Sequence, residues 1–267
     1  MRRVAIPFVV AAIIAVACKA YDAEAPAPND DAGGLDASTA DTSTDAGALD
    51  AADGRVPFCV EDGGLFCEDY EDPGRVGLAK KLIDDGGVIT VDDNDPVQGH
   101  FLRTSVTNPP DSLCQDAYVN GAPPGLVFSA GVHVEYKVRP NVFTGGLTLG
   151  LVSRLSGGPS DCEMYLHGSP DNVQLVFESA GTKVATDLTR KLVAGKWSRV
   201  EIDVAATAGS VPKASVTIDG QSAVSGVDLP SSCQATTVSH LEIGVICATS
   251  ATGSADFGYD DMRITGR

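Results

Sequence analysis

Residues 132–139 read VHVEYKVR, and their alternation decides the fold. Val132, Val134, Tyr136 and Val138 fall on one side of an extended chain, and His133, Glu135, Lys137 and Arg139 on the other. Successive side chains of a strand point to opposite faces, so this period of two describes a half-buried β-strand. The same rule extends outward. Residues 147–154 (LTLGLVSR) and 173–179 (VQLVFES) are mostly apolar runs of strand length. Val200, Ile202 and Val204 alternate with Arg199, Glu201 and Asp203. Residues 214–224 (ASVTIDGQSAV) make a hairpin, with Asp219-Gly220 supplying the residues a tight turn needs. Residues 241–247 (LEIGVIC) and 256–264 (DFGYDDMRI) complete the series. In the last of these, apolar parity shifts between Tyr259 and Met262, the mark of a bulge at Asp260 and Asp261. No helical pattern separates the strands, and the simplest closure for so many antiparallel strands is a two-sheet sandwich. A content of 29 Gly and 15 Pro with only 6% aromatic residues suits such a turn-rich β protein.

Upstream the character of the chain changes twice. Arg2 and Arg3 precede an apolar run from Val4 to Ala17. That run is shorter than the roughly 20 residues a membrane span needs and has the layout of an export signal. Ala15-Val16-Ala17-Cys18 resembles the lipobox of bacterial lipoproteins, which implies cleavage after residue 17 and lipidation of Cys18. The rival reading is an ordinary A-x-A cleavage with Cys18 incidental. Residues 18–55 then form an Asp/Ala/Gly-rich tether, similar to those of myxobacterial surface lipoproteins, with too little apolar surface to offset its own ordering entropy. It carries nine acidic residues against Lys19 and Arg55; with the two arginines of the signal set aside, −12 of the total −17 falls on the domain, residues 56–267. So acidic a chain repels phosphate backbones, which excludes nucleic acid as a partner. Its expected place is the bacterial cell envelope, at the outer membrane or cell surface, held to the membrane through the lipid.

Apart from Cys18, six cysteines remain: Cys59, Cys67, Cys114, Cys162, Cys233 and Cys247. In an exported domain six thiols make three disulfides, with fifteen possible connectivities. Cys59–Cys67 and Cys233–Cys247 are the local pairings, which leaves Cys114 with Cys162. No C-x-x-C spacing points to zinc.

Three stretches carry a family resemblance. Phe66-Cys67-Glu68-Asp69-Tyr70-Glu71 opens the domain. Lys196-Trp197-Ser198-Arg199-Val200 leads into Glu201-Ile202-Asp203-Val204, with Ile218-Asp219-Gly220 further on. Phe257-Gly258-Tyr259-Asp260-Asp261-Met262-Arg263-Ile264 closes it. In this order they resemble the concanavalin A-like, laminin-G-like jelly-roll superfamily over residues 58–266. The resemblance implies an all-β, two-sheet antiparallel jelly-roll sandwich with a face that often binds carbohydrate, and it makes Trp197 a core anchor. The superfamily includes lectins, glycosidases, lyases and adhesive modules, so fold does not choose function.

Retaining glycosidases of this fold carry a motif resembling E-x-D-x-E or E-x-D-x-x-E. Glu201 and Asp203 fill its first two places, but Ala205 or Ala206 stands where the proton donor should be. A lyase needs a base such as Tyr or His and a neutraliser of the substrate carboxylate. His133, Lys137 and Arg139 have the right chemistry, but Tyr136 points to the opposite face. Asp92, Asp93 and Asp95 form an oxygen-rich turn that could hold calcium, a hard cation that wants six to eight oxygens. Tyr118, Tyr165, His167 and Tyr259 are candidate ligand-binding face residues. The resulting expectation is a cell-envelope lipoprotein that displays a non-catalytic jelly roll, catalytic residues none, with a carbohydrate or another surface protein as partner. The alternatives are an extracellular polysaccharide-active enzyme, hydrolase or lyase, of the same fold, and a purely adhesive module.

Overall fold

The structure is a computed structural model of the chain. It describes residues 58–59, 66–71, 81–96, 98–107, 115–121, 126–127, 130–144, 147–155, 162–168, 171–179, 182–207, 209–234, 237–238, 241–248 and 253–266; of 81–85, 94, 121, 126, 147–155, 237–238 and 247–248 it describes the backbone. The chain divides into two units, Met1–Ala51 and Ala52–Arg267, and all the described residues belong to the second. The export signal, Cys18, the acidic tether and Cys114 lie outside them.

In chain order the strands are β1 (Phe66–Glu68), β2 (Lys81–Asp85), β3 (Val88–Asp95), β4 (Gly99–Thr107), β5 (Gln115–Gly121), β6 (Leu126–Val127), β7 (Val132–Thr144), β8 (Leu147–Leu155) and β9 (Cys162–Gly168). They continue with β10 (Val173–Ser179), β11 (Thr182–Asp187), β12 (Ser198–Ala205), β13 (Lys213–Ile218), β14 (Gln221–Asp228), β15 (Thr237–Val238), β16 (Leu241–Ala248) and β17 (Ser254–Gly266). The first sheet has the order β14-β13-β12-β7-β17-β4-β3, with β1 also paired to β17. The second has the order β11-β10-β9-β8-β16-β5-β2, with β15 joining β6 and β8. Every strand pair is antiparallel. The molecule is thus the all-β antiparallel sandwich that the alternation predicts. The only helical residues among those described are short 3-10 turns.

The core lies between the two inner faces. The first sheet supplies Val132, Val134, Tyr136 and Val138 from β7 and Val200, Ile202 and Val204 from β12. The second supplies Met164 and Leu166, Leu175 and Phe177, and Ile243 and Val245. Each large aliphatic or aromatic side chain taken fully from water is worth about 1.5–3 kcal/mol. Two details follow the sequence closely. Asp219 and Gly220 both have positive φ (52° and 70°), and Ile218 pairs with Gln221, so the β13–β14 hairpin turns on two residues as a type I′ loop does. In β17 the register with β7 shifts between Asp260 and Arg263, and Asp261 sits at φ 47°, so the bulge falls where parity breaks.

Two disulfides are seen among the described residues. Cys59–Cys67 ties the entry segment to β1, as its spacing suggests. The second joins Cys162 to Cys233, across 71 residues, so the expected pairings Cys233–Cys247 and Cys114–Cys162 are incorrect. Cys162 opens β9, and Cys233 closes a 3-10 turn buried against it. Pairing is set by this packing and not by nearness in sequence.

Candidate functional site

The outer face of the first sheet is a lattice of paired charges. His133 lies between Asp203 (2.9 Å) and Glu135 (3.7 Å). Arg199 bridges Glu135 (2.8 Å) and Glu201 (2.7 Å), and Glu201 also accepts a hydrogen bond from Thr217 (2.6 Å). Lys137 pairs with Asp261, and Arg103 with Asp256 and Asp92. Glu201 and Asp203 are therefore occupied as members of this lattice. Tyr136 is in the core, across the sheet from His133, as parity requires.

The calcium expectation at 92–95 is not supported. These residues belong to β3, and protein partners hold the carboxylates of Asp92 and Asp95. Asp92 accepts from Arg103; Asp95 accepts from Arg139, from Trp197 Nε1 (2.8 Å) and from the backbone of Gln98 (3.0 Å). Asp93 points to solvent, and no metal-binding group of three or more His, Cys, Asp or Glu occurs among the described residues. Trp197 also departs from expectation. It is half-buried on this outer face, stacked edge-on against Phe101 (5.5 Å), with the Arg139 guanidinium 4.9 Å from its ring. A Cβ on Gly258 would fall 2.9 Å from the Trp197 ring, so only glycine fits beneath it.

The outer face of the second sheet differs in kind. Inward residues Met164 and Leu166 fix the parity of β9, so Glu163, Tyr165 and His167 all emerge outward. Inward Leu175 and Phe177 do the same for β10, which presents Gln174, Val176 and Glu178. Register places Tyr165 opposite Val176, His167 opposite Gln174, and Glu163 opposite Glu178. On β5, Asp116, Tyr118 and Asn120 face outward, opposite Gly244 and Glu242 of β16. Of the four candidate face residues, Tyr118, Tyr165 and His167 are thus brought to one face. Tyr259 is not: it is 3% exposed in the core, where its hydroxyl donates to the carbonyl of Gly244 (3.2 Å).

Tyr165 and His167 have opposite electrostatic surroundings. Tyr165 is 6% exposed, packs with Val176 and Ile246, and donates to Glu178 Oε2 at 2.7 Å. Burial first, and then the Glu178 carboxylate, push its phenol well above the ordinary value, so it stays protonated. His167 is half-buried; burial and the positive charge of Lys183 lower its proton affinity, so at neutral pH it is an uncharged imidazole. The Lys183 ammonium lies 5.8 Å from the Tyr165 ring centre. One strand therefore presents a proton donor and a proton acceptor two residues apart on one face. The opposed proton affinities of this pair were not read from the sequence, although the alternation of CEMYLHG (162–168) puts Tyr165 and His167 on the same side.

A scan against family models finds no match, and no curated protein matches. Solved structures do. The chain resembles an endo-β-1,4-glucuronan lyase from the fungus Trichoderma reesei at 12% identity and TM-score 0.59, covering 76% of this chain and 96% of that one. It resembles an alginate lyase from a Chlorella virus at 9% identity and TM-score 0.52, covering 76% and 100%. A cellulose-induced protein follows at 13% identity and TM-score 0.50, covering 76% and 97%. These likenesses establish the jelly-roll fold. They also correct the expectation of a non-catalytic domain, which rested on the missing proton donor beside Glu201 and Asp203: the solved structures with this likeness are mostly polysaccharide lyases.

Proposed function

We propose that this chain is an enzyme that cleaves an extracellular polysaccharide by β-elimination at a uronate, on the outer face of the second sheet. The observation that carries the proposal is the Tyr165–His167 pair, with surroundings that drive the two proton affinities apart, the pattern by which acid and base assignments are made. Two residues along a strand is about 7 Å, a span that one sugar and its glycosidic oxygen can bridge.

In this reading His167 takes the proton from C5 of the uronate. The electron pair left at C5 forms the C4–C5 double bond, the C4–O4 bond breaks, and O4 receives the phenolic proton of Tyr165. Solvent returns a proton to Tyr165 and accepts one from His167, so nothing is consumed. Gln174, directly opposite His167, offers an amide to the substrate carboxylate; one of its hydrogens is already held by Asp187 (2.7 Å). The likeness in fold to glucuronan and alginate lyases supports the reaction class.

A second reading is favoured by one observation. Glu163 and Glu178 are direct cross-strand partners, and such pairs have Cβ atoms about 4.5–5.5 Å apart. Retaining glycosidases use two carboxyls about 5–5.5 Å apart. One assay separates the two: purified protein is incubated with acidic and neutral glycans, and products are followed by ultraviolet absorbance and by reducing ends. Absorbing C4–C5 unsaturated ends support elimination. Reducing ends without absorbance refute it and support hydrolysis at Glu163 and Glu178.

The sequence further supports display of this domain on the cell envelope through lipidated Cys18 and the acidic tether. Cys18→Ser should release the protein from membranes; unchanged membrane partitioning would refute the anchor.

A further inference from the structure

Three strands lay one row of outward side chains across the second sheet. Gln174 of β10 stands between His167 of β9 and Asp187 of β11, each its direct cross-strand partner. Inward Val173 and Leu175 fix Gln174 outward, and inward Leu188 fixes Asp187 outward. Asp187 closes β11, yet its backbone is pinned: the Leu188 N–H donates to the Val173 carbonyl (2.8 Å) and the Thr189 N–H to that of Ala223 (2.9 Å). Its exposed carboxylate therefore projects from a fixed point of the sheet.

Two amides converge on one oxygen of that carboxylate. Gln174 Nε2 donates to Asp187 Oδ1 at 2.7 Å, and Asn172 Nδ2 donates to it at 3.0 Å. These bonds, that of Asn172 first, lower the proton affinity of Asp187, so at neutral pH it is ionised and only accepts. The two ends of a glutamine amide are nearly equal in size and opposite in role. Only the N–H end can face an ionised carboxylate, so Asp187 decides which way the Gln174 amide lies. Released from that partner, the amide can turn over, and its carbonyl oxygen then meets the uronate carboxylate, acceptor against acceptor. The bare charge of Asp187 acts in the other direction, since a carboxylate near an anionic sugar weakens its binding.

Resting on the elimination reading, we infer that Asp187 is a positioning residue: it holds the Gln174 amide so that an N–H, and not the carbonyl oxygen, is offered to the substrate carboxylate. Through Gln174 it makes the site select a uronate over a neutral sugar.

The test is calorimetric titration of the full chain with glucuronate oligosaccharides and with the same oligosaccharides reduced at their carboxyls to alcohols. Tyr165→Phe serves as the background, so that binding is read without turnover. The carboxylated form should bind tighter. Adding Asp187→Asn should weaken it by about tenfold, the worth of one hydrogen bond to a charged group, and leave the reduced form unchanged. Asp187→Glu, again an acceptor only, should restore the preference. Gln174→Leu should cause the same loss, and the two losses should not add, because both changes remove one contact. The inference is overturned if Asp187→Asn tightens the carboxylated form, as removal of a bare charge would, or leaves it unchanged. It is equally overturned if both ligands weaken alike, the mark of a merely structural role, if the losses add, or if the background shows no preference for the carboxylate. Elimination is judged separately, by unsaturated products from the chain with Tyr165 intact. Their absence would refute that reading, while the order of affinities would still decide the role of Asp187.

Discussion

Tyr165 donates a 2.7 Å hydrogen bond to Glu178 across the β9–β10 pair, so a nearly buried phenol is held by a carboxylate that cannot take its proton at neutral pH. Tyr165→Phe keeps the ring packed against Val176 and Ile246 and removes only the hydroxyl. Turnover should fall by about 10²–10⁴, the usual worth of a positioned acid or base. Unsaturated-product absorbance reads the loss, and an unchanged melting temperature shows that the fold has survived. Retention of more than half the activity would remove Tyr165 from the chemistry.

The second prediction concerns pH. Burial and Lys183 lower the His167 proton affinity, so the imidazole remains an available base below the ordinary value of about 6.5. The acid limb of the kcat/KM profile should therefore lie below that value. Lys183→Gln should move this limb to higher pH, since removing a nearby positive charge makes protonation easier. A limb that stays in place would mean that His167 does not set it.

A third prediction tests the first sheet. Burial pushes Asp256 up, but hydrogen bonds from Arg103 (2.6 and 3.0 Å) and Asn141 (3.0 Å) outweigh it and hold the carboxyl below its ordinary value. A group whose folded-state value is depressed adds stability above its unfolded value and loses it as pH falls through the folded one. Arg103→Leu should therefore cost stability at pH 7, about 1–2 kcal/mol after allowance for the half-exposed guanidinium. The difference from the parent should shrink as pH drops below about 4. Urea titrations at the two pH values measure both.

Fourth, the disulfides should differ in worth. By loop-closure entropy the 71-residue Cys162–Cys233 link contributes about 4 kcal/mol, and the 8-residue Cys59–Cys67 link about 2.5 kcal/mol. Ser replacements of each pair, compared by denaturant midpoint, test the order. Peptide mapping of the unreduced protein tests the pairing itself.

Gly258→Ala forms the fifth. The added methyl would fall 2.9 Å from Trp197 and 3.0 Å from Phe101, in a stack already closed by Arg139. The indole must move, at a cost of about 1–3 kcal/mol typical of overpacking. A lowered melting temperature with activity retained below the transition is expected, because Tyr165 and His167, the proposed acid and base, lie on the other sheet.

Much of this architecture was legible because strand parity is a local property. β7, β10, β12 and the β13–β14 hairpin are written in alternation and in one Asp-Gly turn. The same parity already placed Trp197 outward beside Arg199, opposite Ser198 and Val200, and the family resemblance misdirected it to the core. What sequence could not reach were meetings between distant segments. Asp92 and Asp95 look like calcium ligands until Arg103 and Arg139 arrive from other strands. Cys162 finds Cys233 only through packing. The Tyr165–His167 pair lay in plain alternation, but its distinct proton affinities come from Glu178 and Lys183, on neighbouring strands.

Trp197 is the chain's only tryptophan, and it is anchored through Asp95 on the sheet opposite the one that carries Tyr165. Indole fluorescence will therefore follow melting of the sandwich but stay dark to a saccharide settling near Tyr165. Occupancy of that face has to be observed through tyrosine signals or the sugar itself, and a silent emission spectrum is no evidence of an empty enzyme.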